Sequence, residues 1–156
     1  MNIKSCLVKF DTLLIKIGTP LQCVVLLAIR LYWGWQFFSA GKGKLMNLDR
    51  TTGFFESIDI PLPKLNAIMA GTTEMVGGLL LLVGLASRII SVPLTFVMLV
   101  AYATAHSDEM KAIFSEPDKF LAASPFQFLF ACVLIFAFGP GKLSLDALLK
   151  RPGFEK

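Results

Sequence analysis

Residues 20–41, PLQCVVLLAIRLYWGWQFFSAG, run for 22 positions with one charge, Arg30, near the middle. Roughly 20 apolar residues carry a helix across a hydrocarbon core about 30 Å thick, so the stretch reads as a membrane span. Thr19 is placed to cap that helix and Pro20 to occupy its first turn. The run is too long and too aromatic for a cleaved signal sequence, and three more apolar runs follow it.

Those runs cover residues 65–85, 89–105 and 121–138. Of the 156 residues, 55% are hydrophobic and 17% charged, mean hydropathy is +0.69, and the charges gather between the apolar runs. A soluble domain would interleave charges along its helix faces. Unbroken apolar runs argue for helices over the alternating pattern of a barrel. The expected fold is therefore all-α, a polytopic membrane protein with an antiparallel four-transmembrane-helix bundle. Residues 1–18 form an amphipathic segment on the cytoplasmic face, with Lys4, Lys9 and Lys16 among Leu7, Phe10, Leu14 and Ile17. Residues 19–149 form the membrane domain, and 150–156 a basic tail.

Four spans put both termini and the 2–3 turn on one side. That side carries Lys4, Lys9, Lys16, Arg88, Lys142, Lys150, Arg151 and Lys156, eight cations. The other carries Lys42, Lys44, Arg50, Lys64, Lys111 and Lys119, six, together with most of the acids. The positive-inside rule then orients both termini to the cytoplasm, in the inner membrane of the cell. The net charge of +4 comes from cations beside spans on both sides, which points to the lipid surface and away from nucleic acid.

Cys6, Cys23 and Cys132 form no C-x-x-C pair, and the last two lie inside spans, where cysteine packs as a small apolar residue. His106, the one histidine, leaves no metal cluster and no bis-histidine haem within the chain. It follows Tyr102 by four residues, on the same helix face. That pair is either interfacial or a contact for a headgroup or quinone oxygen.

Arg30 and Glu74 are the two ionisable residues in the middle of spans. A charge at that depth costs about 2.5–3.5 kcal/mol on insertion scales, so it is retained where it is paired, hydrated or used. With helix starts at Pro20 and Leu65, the two side chains fall at nearly equal depth on antiparallel neighbours. A bidentate pair between them is expected, either purely structural or also lining a polar pocket. Trp33 and Phe37 share the helix face of Arg30, giving a planar ligand an apolar wall, or else packing on the second helix. The other rings, Tyr32, Trp35 and Phe38, form part of an interfacial aromatic belt. Gly34 and Gly41, with Gly71, Gly77, Gly78 and Gly84 in the second span, suit close helix packing.

The stretch RLYWGWQFFSAGKGKL, with Arg30, Gly34, Phe37, Gly41 and Lys44, resembles the first-helix signature of the DoxX family. EMVGGLLLLVGLASR, from Glu74 through Gly77, Gly78 and Gly84 to Arg88, is similar to that family's second helix, and FGPGKLSLDALL, residues 138–149, to its C-terminal end. The resemblance implies a small four-span membrane protein associated with quinone-linked respiratory oxidation or sulfur-stress redox functions. No cofactor motif occurs in the sequence, so redox work implies a bound quinone and a partner redox or biosynthetic protein. The oligomeric state stays open, as do two alternatives: a membrane scaffold using the acidic 108–118 segment, and a small transporter with Glu74 as its proton or cation site.

Overall fold

The first helix, α1 (Ile3–Met46), passes through the position expected to start it. In the computed structural model, which describes residues 3–150, Pro20 lies inside α1. Proline removes one ladder hydrogen bond, a loss that membrane helices accommodate. Thr19 does not cap; its hydroxyl donates to the Ile15 carbonyl one turn back, at 2.9 Å. With 44 residues, α1 is roughly 66 Å long at 1.5 Å per residue, about twice a hydrocarbon core. The expected boundary at residue 18 is therefore not a break in the helix. Of the 150–156 tail, only Lys150 lies within the described residues.

After α1 come the short α2 (Leu48–Ser57) and the second long apolar helix, α3 (Pro63–Val83). Pro63 opens α3, and Gly84 closes it in the left-handed region at φ 73°. A three-residue turn leads to α4 (Ser87–Thr104). The bounds of α3 and α4 lie within two residues of the apolar runs that forecast them.

The last apolar run is divided. Two short helices, α5 (Ser107–Lys111) and α6 (Pro117–Ala122), precede α7 (Ser124–Phe138), and Ala123 between α6 and α7 is extended, with ψ 135°. Pro125 explains the break: a proline in the first turn of α7 is favourable there and disfavours helix immediately before it. Among the described residues, then, three helices are long and apolar enough to cross a membrane, while α7 is a shorter apolar helix of 15 residues. The final helix, α8 (Leu145–Leu149), is capped by Ser144, whose hydroxyl accepts from the Ala147 amide.

The chain α1, α3, α4, α7 packs in sequence, and α7 returns to touch α1. Phe37, Leu81, Leu94, Met98, Cys132 and Ile135 form the buried core between them. The outward faces remain apolar: Val24, Leu31 and Trp35 on α1, Met69 and Val76 on α3, Val92 and Phe96 on α4, and Val133 and Phe136 on α7 are all exposed. Water would not select such a surface; hydrocarbon does. The protein is a multi-pass helical membrane protein, with no strand among the described residues.

Candidate functional site

Four glycines set how α1 meets α3. A Cβ on Gly78 would stand 2.6 Å from the Gly34 carbonyl oxygen, and one on Gly41 would stand 2.5 Å from that of Gly71. The backbones touch at both places, which only glycine permits. Gly34 is thus level with Gly78, and Gly41 with Gly71 and Glu74. Arg30, eleven residues before Gly41, lies roughly 16 Å from the level of Glu74.

The expected pair between Arg30 and Glu74 therefore does not form. The equal depths depended on a helix start at Pro20, and the glycine register instead places Arg30 beside the C-terminal end of α3. There its guanidinium, 1% exposed, donates to four carbonyls. Nε reaches Leu81 at 2.9 Å, Nη2 reaches Leu82 at 3.2 Å, and Nη1 reaches Pro140 at 2.6 Å and Leu143 at 2.8 Å. The first two are carbonyls of the last turn of α3, which carries the negative end of the helix dipole.

Asp146 completes this clamp. Its two carboxylate oxygens accept from the Ala86 and Ser87 amides at 2.7 and 3.0 Å, capping α4, while its own amide donates to Gly84 at 2.9 Å. The segment 138–149 is thereby fastened across the 2–3 turn, with Arg30 as the bolt beneath it.

Glu74, 1% exposed on α3, is paired instead with the ammonium of Lys44, 30% exposed one turn beyond Gly41 on α1. The Lys44 stem spans from the helix end toward the buried carboxylate, as long cationic side chains do at membrane borders. Sequence reasoning assigned Lys44 to the loop and so missed this partner.

Trp33 and Phe37 are engaged with α7 instead. Both rings meet Phe128 of α7 edge to face, with centroids 5.0 and 4.6 Å apart. Phe37 is fully buried, whereas Trp33 and Phe128 are half-buried at the seam of α1 and α7. The expected polar pocket joining Arg30, Glu74 and Trp33 is not assembled: the first is consumed by carbonyls, the second by Lys44, and the third lies against α7.

Tyr102 and His106 do share a face, with ring centroids 6.4 Å apart. The Tyr102 hydroxyl donates to the Phe120 carbonyl at 2.7 Å and its ring stacks on Phe120, so it ties α4 to α6. His106 contacts Glu109 at 3.4 Å. The amide of Glu109 itself and the His106 ring hold the Glu109 carboxyl below the ordinary carboxylate range. Cys132 is buried among apolar side chains, and no cluster of metal-binding side chains occurs among the described residues.

A cleft of about 550 Å³ opens between α1 and the clamp segment, lined by Gln22, Cys23 and Leu26 on one wall and by Arg88, Phe138 and Lys142 on the other. A narrower apolar groove of about 290 Å³ continues from it between α1 and α7. The sequence offered no signal for either, because each is made by segments far apart in the chain.

The DoxX family profile matches residues 25–107. An uncharacterized membrane protein of Mycobacterium tuberculosis is 32% identical over 80% of this chain and 81% of its own length. An uncharacterized protein of Haemophilus influenzae is 28% identical over 82% of this chain and 85% of its own. A Bacillus subtilis protein named "Putative oxidoreductase CatD" is 34% identical over 60% of this chain and 66% of its own. No solved structure matches significantly.

Proposed function

We propose that this chain, which belongs to the DoxX family, is a redox-accessory subunit that holds a membrane quinone at the seam of α1 and α7 for a partner protein. The observation that carries this reading is the half-buried Trp33–Phe128 pair, two aromatic rings set edge to face where two helices meet among lipid-facing side chains. The name of the Bacillus subtilis relative supports a redox setting. In this reading the partner carries the redox group and exchanges two electrons and two protons with the quinone, while the chain supplies position and an apolar wall. Both termini face the cytoplasm, and the bundle of α1, α3, α4 and α7 crosses the inner membrane.

A scaffold is the second reading. Phe114, 95% exposed, stands between Asp108, Glu109, Glu116 and Asp118 as a surface for a partner protein. The transporter reading loses support because Glu74 is closed off by Lys44 rather than facing an open aqueous cavity.

The test is to extract quinone from protein purified with its native lipid shell. A quinone-to-protein ratio above that of the surrounding membrane is expected, falling to the membrane value in Phe128→Leu. Parity with bulk membrane in the unaltered protein would favour the scaffold.

A further inference from the structure

The cleft beside the clamp has a charge pattern that the redox reading does not use. Its charged lining consists of Arg88 at the start of α4, Lys142 and Asp146 of the clamp segment, and Lys150 just beyond it. Both oxygens of Asp146 are already engaged by the Ala86 and Ser87 amides. Among the described residues none of the three cations has a carboxylate within 4.0 Å. Arg88 donates one long bond, 3.3 Å, to the Ala137 carbonyl, leaving its other donors for a ligand. From α1, Thr19 and Gln22 add neutral polar groups to the opposite wall.

The groove below supplies the second half of a ligand's chemistry. It shares Gln22, Leu26 and Phe138 with the cleft and continues along Val25, Ile29 and Leu134, all hydrocarbon. The cations sit where α4 begins and α7 ends, while the groove follows α1 and α7 away from that end. A ligand matching both parts has an anionic head at the helix ends and an apolar tail lying along the seam.

We propose that this cleft and groove form a binding site for an anionic phospholipid. The phosphate is held by Arg88, Lys142 and Lys150, and an acyl chain lies against Val25, Ile29 and Leu134. A neutral quinone head has no use for three cations, and a free phosphate has none for the groove. The site lies on the same α1–α7 seam as the proposed quinone contact, but its lining residues differ from Trp33 and Phe128, so the failure of one reading is distinguishable from that of the other.

Native mass spectrometry of the full-length protein in detergent, with phosphatidylglycerol and phosphatidylcholine of equal chain length in competition, tests this. Preferential retention of phosphatidylglycerol is expected, and Lys142→Gln and Lys150→Gln, both at exposed positions, should each reduce that preference about fivefold. Lys111→Gln, on a different loop, should leave it unchanged. Leu134→Trp should weaken retention of both lipids by filling the groove. Equal retention of the two lipids, a preference untouched by the lysine variants, or full competition by millimolar inorganic phosphate would each overturn the proposal. The last result would assign the cleft to a free anion.

Discussion

Gly84 leaves open the space that the Arg30 guanidinium fills: a Cβ on Gly84 would stand 2.6 Å from Arg30 Cζ and 2.6 Å from the Ser144 Cβ. The glycine also holds φ at 73°, where a side chain is strained in its own right. One residue thus ends α3, admits the arginine that caps it and receives the Asp146 amide. Gly84→Ala is expected to cost at least about 2 kcal/mol in reversible unfolding in mixed micelles, from backbone strain plus overpacking. Gly53→Ala, at a helical position with open space around it, should be neutral or slightly stabilising.

Arg30→Lys is expected to behave as a loss, not as a conservative change. Four carbonyls converge on a planar fork, and an ammonium on a single stem cannot reach acceptors at both the α3 end and the clamp segment. Unpaired buried carbonyls cost about 1–3 kcal/mol each. Accelerated proteolysis within residues 138–149, with α1 and α3 still packed, would show that the clamp has been released. Protection equal to that of the unaltered protein would remove Arg30 from this role.

The membrane class, the limits of α3 and α4 and the packing role of Gly34, Gly41, Gly71 and Gly78 were legible in the sequence, because hydropathy and small residues act locally and at short range. The partner of Arg30 was not. Main-chain carbonyls exist at every position, so no residue type announces them, and only the docking of a segment more than 100 residues away presents Pro140 and Leu143. Pro20 misled for a related reason: proline is favourable at a helix start and tolerated inside a membrane helix, so its presence does not distinguish the two. Conversely, Ser124-Pro125 did interrupt the last apolar run, at Ala123. Asp146 and Lys44 lay within the family-like stretches, but the role of Lys44 emerged only from the register of α1 on α3, and that of Asp146 from the docking of 138–149 on the 2–3 turn.

Lys44 and Glu74 should be coupled, and Arg30 and Glu74 should not. Lys44→Met strands a carboxylate that is 1% exposed, so it should cost more than removing both charges, with a coupling energy of about 1 kcal/mol or more in a double-mutant cycle with Glu74→Leu. The same cycle on Arg30→Met and Glu74→Leu should be additive within about 0.5 kcal/mol. Coupling of the second pair and additivity of the first would restore the pairing expected from hydropathy alone.

A four-span arrangement puts eight cations of the sequence on the side of the termini and the 2–3 turn, against six on the other. A C-terminal reporter that works only in the cytoplasm should be active, and one that works only outside the membrane should be silent. The reverse result would turn the clamp, the cleft and Arg88 to the outer face.

The quinone reading meets its most direct test in the two tryptophans. Trp33 faces Phe128 at the seam, whereas Trp35, two residues on, is 58% exposed on the lipid face and pairs with Phe38. Quinone titrations of Trp35→Phe and Trp33→Phe proteins, each retaining one tryptophan at nearly the same depth, separate binding from partition into the detergent. Saturable quenching of Trp33 at low quinone, with only linear quenching of Trp35, is the expected result. Equal, non-saturating quenching of both would contradict a quinone site at the α1–α7 seam.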